Sequence, residues 1–324
     1  MSETRGNAIN YLAGLILNAR GREISSYPLR VRWLKNFLAA NAIRFTLVFV
    51  NFILLLMIVC LFLKAKPILF SGSITQILIS SSWHPLKGQF GFLPFIIGSV
   101  EVTLIAMVIS VPVCLLTAIY LSEYAHRHLE RWVRLVIDML AGIPSVIFGL
   151  WGVIVVVPIV RELGLSLGIQ TTGYCLLSGG IILALIVIPI IISVSLEVLR
   201  TTPGEARESS LALGITKWEM VKHIILKRSS HGLIAAVVLG FARAFGETIA
   251  VMMVVGNVVK IPGSLFDPAY PLPALIANNY GEMMSIPLYD SALMLAALIL
   301  MVVVGCFSLA ANMVVMHMER RNER

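Results

Sequence analysis

The segment FARAFGETIA, residues 241–250, carries two opposite charges inside an otherwise apolar stretch. Arg243 and Glu247 are four residues apart, with HGLIAAVVLG before the segment and VMMVVG after it. A lone charge near the centre of a membrane costs at least about 2.5 to 3.5 kcal/mol, so such residues usually pair or line a water-filled cavity. On a continuous helix, this spacing predicts that the two side chains share one face and partly neutralise each other.

An arginine at such a position is chemically suited to an oxyanion. Its guanidinium keeps its proton and offers a planar fork that can make two parallel, charge-assisted hydrogen bonds, whereas lysine supplies charge without the fork. Small residues, Ala242, Ala244 and Gly246, thin the helix beside the pair. Two interpretations stay open: a structural ion pair that staples helices together, or a pair that lines a water-accessible anion path.

The elements that position this pair are membrane helices. The chain is 58% hydrophobic and 13% charged over 324 residues, and its mean hydropathy is +0.92, which excludes a set of soluble domains. Unbroken apolar runs of about 20 residues predict spanning helices, and their lack of alternation excludes barrel strands. We therefore predict an all-α integral membrane protein with six spans, at residues 42–63, 94–121, 133–158, 179–198, 231–256 and 289–316.

The distribution of positive charge predicts the orientation. Nineteen of the 25 Lys and Arg residues lie before the first span or at its edge, after the second and fourth spans, or in the C-terminal tail. The positive-inside bias therefore predicts that both termini are cytoplasmic. Span five then enters from the cytoplasm near His231, which places Arg243 twelve residues in, about 18 Å along a helix and close to the midplane.

The predicted organisation is one membrane domain with short flanking segments. Residues 1–41 form a cytoplasmic N-terminal extension, whose segments NAINYLAGLIL and YPLRVRWLKNFL are either interfacial helices on membrane lipid or a flexible tail. Residues 42–317 form the membrane domain, and residues 318–324 form a cytoplasmic tail. The net charge of +8 is mostly a topology signal, so no nucleic-acid partner is expected.

The loop between the fourth and fifth spans, residues 200–228, contains helix signals. Thr202 followed by Pro203 and Glu205 predicts a capping box with proline at the first helical position. Gly214 predicts the end of that helix, and Thr216 with Glu219 predicts a second capping box. Two short helices joined by a glycine turn would project from the cytoplasmic face, or would lie as a hairpin on lipid headgroups.

The second of these helices is predicted to be amphipathic. Trp218, Val221 and Ile225 would lie on one side, and Lys217 and Lys222 on another.

The same loop resembles a signature of the permease subunits of bacterial ABC importers. Glu208, Ser209, Ser210, Gly214 and then the run from Ile224 to Leu226 match E-A-A, three residues, G, nine residues, I-x-L-P. Ser-Ser stands where Ala-Ala is usual, and Lys227 stands where proline is expected. In that family this loop is a coupling helix that docks on the ATPase subunit. The resemblance implies coupling roles for Glu205, Glu208, Ser209, Ser210, Gly214, Thr216 and Glu219.

Longer strings resemble one branch of that family, the C-type permease subunits of Pst phosphate importers. They are AGIPSVIFGLWG, ALGITKWEMV and LGFARAFGETIAVMMVVGN, with W-x-P at Trp83 and Pro85 in support, so the resemblance covers about residues 83–317. It implies the type I ABC importer permease fold in a prokaryotic inner membrane. It also implies that this subunit forms half of an ATP-driven route for inorganic phosphate. A permease for phosphonate, sulfate or molybdate is the alternative.

The resemblance also implies the partners. They are a second permease subunit that completes a heterodimer, two ATPase subunits that use ATP and magnesium, and an extracytoplasmic phosphate-binding protein. This chain contains no G-x-x-x-x-G-K-[ST], no H-E-x-x-H and no cysteine cluster, so we expect no catalytic site, bound cofactor or metal in it. A secondary transporter would have no use for a capped cytoplasmic loop, and a non-transporting scaffold would tolerate Arg243→Ala in an uptake assay.

In a phosphate route, Arg243 and Glu247 would lie on the path of the anion. We hypothesise that Glu247 accepts a hydrogen bond from the proton of hydrogen phosphate, which sulfate lacks, and keeps Arg243 from holding the anion too tightly. Two other acids lie in predicted spans. Asp138 has Arg134 at i,i+4 as a candidate partner. Glu101 stands where the family has an uncharged residue, and is an outer gate, a partner for a basic side chain, or a protonated carboxyl.

Overall fold

The computed structural model describes residues 29–71, 73–282, 286 and 288–322. Within these residues, six helices are long and apolar enough to cross a membrane, so the predicted all-α fold with six spans is confirmed. We call them spans one to six: Asn36–Phe70, Leu93–Tyr124, Ser145–Ser166, Leu176–Arg200, Lys217–Gly246 and Tyr289–Ala310.

The contacts divide the chain into two units, one ending at Cys60 and one beginning at Leu61. Span one belongs to the continuous helix Leu29–Ser71, which therefore starts within the predicted N-terminal extension. No residue in the most apolar window of this described helix is buried in the chain. A helix that is apolar all round is suited to a membrane environment. The segment at residues 7–17, for which an interfacial helix and a flexible tail both stayed open, lies outside the described residues.

The core of the second unit is formed by spans two, four and five. Their interface buries aliphatic and small side chains: Val102, Ala106, Leu183, Val187, Ile191 and Ala244. Pro112 and Pro189 lie inside the helices Leu93–Ile119 and Leu176–Arg200, where packed neighbours can compensate for the missing backbone donor. Gly240 of span five lies directly against span four, because a Cβ there would come within 2.5 Å of Ile191 Cγ1.

Span three starts later than the sequence predicted. A separate helix, Arg127–Ala141, precedes it and is strongly amphipathic. The chain then turns at Gly142, and Pro144 occupies the N-cap position of the next helix, Ser145–Trp151. Span three continues through a π-helical segment, Gly152–Val156, into the helix Val157–Ser166. The predicted span at residues 133–158 was therefore wrong in its bounds, because the apolar face of the amphipathic helix adjoins the true span in sequence.

The loop between spans four and five contains one separate helix, Gly204–Ala212, which we call the loop helix. The predicted second helix is not separate. It starts as Lys217–Met220, passes through a π-helical segment at Val221–Ile225, and continues as Leu226–Gly246. Span five therefore begins at the capping box, and the loop helix is joined to it by only a short turn.

Short elements connect spans one and two, and spans five and six. Helix Ile74–Ile79 leads to an antiparallel hairpin whose two-residue strands pair Trp83 with Phe90, with a 3₁₀ turn at Pro85–Lys87 between them. The Trp83 ring lies 4.9 Å from Phe95 and 6.1 Å from Tyr289, measured between centroids. Further helices lie at Ile249–Val254 and Leu272–Asn279, and the last helix is Tyr289–Asn322.

We predict that Gly240→Ala destabilises the protein by about 1 to 3 kcal/mol, because the added methyl group overpacks the contact with Ile191. Gly305→Ala is the matched control, since Gly305 also lies within a helix and nothing in the described structure lies within 4 Å of the added atom. Thermal unfolding of the detergent-purified protein measures both. A Gly240 variant as stable as the control would contradict this packing.

Candidate functional site

The helix of span five ends between the two charges that the sequence analysis singled out. Arg243 lies in its last turn, Gly246 is its last residue, and Glu247 has an extended backbone with φ −76° and ψ 123°. The prediction that Arg243 and Glu247 stack at i,i+4 on one helix was therefore wrong. Glycine is the least favourable ordinary residue in a helix, apart from proline, and it marks the position where the chain leaves helical geometry.

The Glu247 carboxylate contacts the start of the next helical segment and does not pair with Arg243. Its backbone N–H donates to the Ala244 carbonyl at 3.2 Å. Its carboxylate Oε1 accepts a long hydrogen bond from the Ala250 N–H at 3.5 Å, at the start of the helix Ile249–Val254. A carboxylate is favourable at a helix N-terminus because it faces unpaired N–H groups and the positive end of the helix dipole.

Arg243 has no acidic partner among the described residues. Its side chain is exposed, and none of the ion pairs among the described residues includes it. The helix end that it occupies favours a cation, because the last carbonyls carry partial negative charge. The guanidinium fork therefore has no hydrogen-bond partner among the described residues.

The half-buried Glu247 lies where spans two, four and five meet the segment at residues 271–273. The small cleft beside it is lined by Ser99, Val102, Thr103, Leu183, Ala244, Phe245, Val251, Pro271 and Pro273. Ser99 fixes this corner, since its hydroxyl donates to the Phe95 carbonyl at 2.8 Å and accepts from the Leu272 N–H at 2.7 Å. One side of the break in span five is thus packed against span two and the start of the helix Leu272–Asn279.

A second candidate site is the loop helix and the turn that follows it. The turn is formed by Gly214 at φ +80°, a conformation that favours glycine, so the predicted stop is confirmed. The capping box at Thr216 is also present: Glu219 N–H donates to Thr216 Oγ1 at 3.3 Å, and Thr216 N–H donates to Glu219 Oε2 at 2.8 Å. This box fixes the start of span five.

The first predicted capping box is absent from the described loop. Pro203 is the N-cap residue and makes no side-chain capping bond. Thr202 is instead 3% exposed, and its hydroxyl lies 3.3 Å from the hydroxyl of Ser229 in span five. Thr202 therefore connects the loop to span five. Its hydroxyl does not cap the loop helix because it pairs with Ser229, which is distant in sequence.

The predicted coupling residues form an exposed surface, with one exception. The exposed ones are Glu205, Glu208, Ser209, Gly214, Thr216 and Glu219. Ser210 is buried at 6% exposure. Trp218 is 56% exposed, whereas Val221 and Ile225 are fully buried, so the prediction that the three share a side was wrong. The π-helical segment adds residues to the turn and changes which side chains align.

Arg207 is a residue of this site that sequence reasoning missed. Its guanidinium donates to the Glu123 carboxylate at 2.9 Å, to the Thr202 carbonyl at 2.8 Å and to the Leu199 carbonyl at 3.0 Å. Glu123 and Arg207 are 84 residues apart in sequence. The spacing of residues within the loop could therefore not indicate this pair.

The two other acids occupy different environments. Glu101 borders a cavity of about 390 Å³ with Leu104, Ile105, Leu176, Pro262, Gly263, Ser264 and Leu265. Its Oε2 atom is buried and has no hydrogen-bond partner among the described residues. Asp138 is exposed on the amphipathic helix rather than inside a span, because span three begins later than predicted.

The predicted pairing of Arg134 with Asp138 was wrong. Arg134 instead lies 3.7 Å from Glu130 and 3.7 Å from Glu197, and Arg200 also pairs with Glu130. These contacts connect the amphipathic helix with the end of span four.

Asp267 stabilises the loop that borders the Glu101 cavity. The Gly263 N–H donates to its carboxylate at 2.9 Å and the Lys260 ammonium lies 3.3 Å away. These contacts, first the backbone hydrogen bond from Gly263, lower the pKa of Asp267. The loop contact is therefore complete above the ordinary aspartate range and is lost only as pH falls through this lowered pKa.

The sequence of most of the described membrane domain matches one protein family. The family is the binding-protein-dependent transport system inner membrane component, and the match covers residues 110–322. This chain belongs to that family.

Family members with similar sequences occur in bacteria and archaea. The phosphate transport system permease protein PstC of Xylella fastidiosa is 38% identical over 75% of this chain and 79% of its own length. PstC of Haemophilus influenzae is 34% identical over 78% and 83%. The probable PstC of Methanocaldococcus jannaschii is 32% identical over 79% and 86%.

The fold is shared with a solved ABC importer. A chain of the MetNI methionine ABC transporter, in an inward-facing conformation, superposes with a TM-score of 0.50 at 21% identity, over 68% of this chain and 91% of that one. The predicted type I ABC importer permease fold is therefore confirmed. Family membership also confirms a multi-pass inner-membrane permease component rather than an enzyme. The cytoplasmic placement of the termini and the domain limits at residues 41 and 317 stay predictions.

We predict that Thr216→Ala loosens the start of span five. The N-cap hydrogen bond is worth about 1 kcal/mol, so amide exchange in residues 217–219 should accelerate roughly fivefold. Thr201→Ala is the control, since the Thr201 hydroxyl donates back to the Val198 carbonyl and caps no helix start. Hydrogen exchange followed by mass spectrometry measures both, and unchanged exchange in the Thr216 variant would contradict a stabilising capping box.

Proposed function

We propose that this chain is the C-type membrane subunit of an ATP-driven inorganic phosphate importer and forms half of its translocation route. The observation that carries the proposal is the exposed, acid-free Arg243 at the broken end of span five. Relatives that match about three quarters of the chain are named as phosphate transport permeases. Their names and this guanidinium point to the same class of ligand.

Arg243 is the anion-binding group in this proposal. Its fork donates two parallel hydrogen bonds to phosphate oxygens, and the charge cannot be lost by deprotonation. Because Glu247 faces the following helix, it does not neutralise Arg243 within the described chain. An approaching anion therefore meets an almost uncompensated positive charge, which favours its entry into an apolar region.

Glu247 is the selectivity group. It lies beyond the helix break, and its carboxylate accepts a hydrogen bond from the proton that hydrogen phosphate retains, while Arg243 holds the oxygens that carry charge. Sulfate has no such proton and would face an unmatched carboxylate, which costs free energy when water is scarce. The two roles do not require that Arg243 and Glu247 stack on one helix. Separated by the break, each side chain can contact the anion from a different side.

The working assembly contains four kinds of subunit. This chain pairs with a second, PstA-like permease, two PstB-like ATPase subunits bind ATP and magnesium, and a PstS-like protein delivers phosphate from outside. The surface of the loop helix docks on the ATPase subunits. Closure of the ATPases on ATP shifts the permease pair between inward-open and outward-open populations.

The test is phosphate uptake by the complete complex in proteoliposomes. We predict that Arg243→Ala lowers ATP-dependent uptake of radiolabelled phosphate about 10- to 100-fold, because a hydrogen bond to a charged group is worth about 1.5 to 3 kcal/mol. Arg243→Lys should retain part of the activity. Arg131→Ala, which removes an exposed arginine of the amphipathic helix, is the control and should leave uptake unchanged.

Competition by sulfate and by phosphonate tests the selectivity group. Glu247→Gln should make sulfate a better competitor of phosphate uptake, because the amide can donate to an oxyanion that has no proton. Full uptake in Arg243→Ala would contradict the binding role, and unchanged sulfate exclusion in Glu247→Gln would contradict the selectivity role.

A further inference from the structure

Three segments converge on the guanidinium of Arg207. Nη2 donates to the Glu123 carboxylate at the end of span two and to the Leu199 carbonyl near the end of span four. Nη1 donates to the Thr202 carbonyl in the connection between span four and the loop helix. One side chain of the loop helix thus connects it to two spans at once.

The contact with Glu123 is shielded from water. The Glu123 side chain is 4% exposed and the Arg207 side chain is 25% exposed. The Ser122 hydroxyl donates to the same carboxylate oxygen at 2.8 Å. A shielded pair with additional hydrogen bonds resists separation far more than a surface pair does, because parting leaves a charge without a partner in a region of low dielectric.

The two carbonyls that Arg207 contacts lie where span four ends. Leu199 is in the last turn of the helix Leu176–Arg200, and its carbonyl also accepts a long hydrogen bond from the Thr202 N–H at 3.4 Å. The planar fork of arginine reaches both carbonyls and the carboxylate together, which a single lysine ammonium cannot do with the same geometry. Arg207 therefore adds charge-assisted hydrogen bonds at the end of span four.

The loop helix has few other contacts with the spans among the described residues. Before its start, the Thr202 hydroxyl lies beside Ser229 of span five, and within it Ser210 is buried. After its end, the Gly214 turn separates it from span five. The neighbouring buried cluster of Ala118, Leu199, Met220, Val221 and Ile225 joins spans two, four and five to one another. Beside this cluster, Arg207 connects the loop helix to spans two and four.

We propose that Arg207 is the positioning residue that makes spans two and four move together with the loop helix. A force applied to the exposed surface of that helix reaches span two through Glu123 and span four through the Leu199 carbonyl. Without the guanidinium, the helix shifts about the Gly214 turn while the spans stay in place. This proposal rests on the coupling role of the loop helix in the proposed function.

The experiment measures the number of phosphate ions imported for each ATP hydrolysed by the complete complex in proteoliposomes. Arg207→Ala should lower this ratio by at least about tenfold while ATP hydrolysis changes by less than about threefold, because removal of one partner of a shielded pair releases the contact. Arg207→Lys should give an intermediate ratio. Glu123→Gln, which keeps the shape but weakens the charge contact, should lower the ratio less than Arg207→Ala.

The charge exchange Arg207→Glu with Glu123→Arg separates transmission from folding. It should restore part of the ratio that the single Arg207→Glu change removes. Arg131→Ala is the matched arginine control on the amphipathic helix and should keep the ratio of the unaltered complex. If Arg207→Ala does not assemble, Arg207→Lys and Glu123→Gln decide the outcome on complexes of normal composition.

Two results would overturn the proposal. One is an unaltered ratio in the assembled Arg207 and Glu123 variants, whether or not hydrolysis and uptake fall in parallel. The other is a lowered ratio that the charge exchange does not raise above that of the single Arg207→Glu change. Failure of the proposed substrate is distinguishable. It would show as absent phosphate uptake by the unaltered complex, whose ratio is then measured with the competing oxyanion that it does import.

Discussion

A helix inside a membrane can be interrupted only where neighbouring protein or water satisfies the backbone groups that the interruption frees. This constraint determines the structure around span five. The helix stops at Gly246, and the Glu247 N–H turns back to the Ala244 carbonyl. Farther along, the Asn257 side chain donates to the Met252 carbonyl at 2.7 Å. At the interruption, Ala244 is buried in the core shared with spans two and four, whereas Gly246 is exposed.

The interruption changes the electrostatics of the site. A continuous helix would have paired Arg243 with Glu247 and left an almost neutral dipole, suited to stapling helices. The break gives each charge a helix end of favourable sign: Arg243 at a C-terminal end and Glu247 at an N-terminal start. Both charges are therefore tolerated without neutralising each other, and the guanidinium keeps its capacity to bind an anion.

The sequence predicted features that depend on local spacing. Six apolar runs, the Gly214 turn and the Thr216 box were recovered because each is encoded within a few residues or one continuous run. The end of span five was missed because glycine is common in membrane helices, so Gly246 alone does not indicate a break. The side assigned to Trp218 was wrong because a π-helical segment changes the periodicity that the assignment assumed. Arg207 and Glu123 meet only in the folded chain.

The loop helix and the Arg243 site are connected through packed elements. Arg207 contacts span four near its end, at Leu199. Earlier in that span, Ile191 lies against Gly240 of span five, which is one turn before Arg243. Because close-packed interfaces move between discrete arrangements rather than deforming gradually, we expect a displacement of span four to shift Gly240 as well. With no side chain at Gly240, spans four and five approach closely there. In the proposed mechanism this contact lies between the loop helix and Arg243, so a movement that starts at the loop helix reaches the proposed anion site.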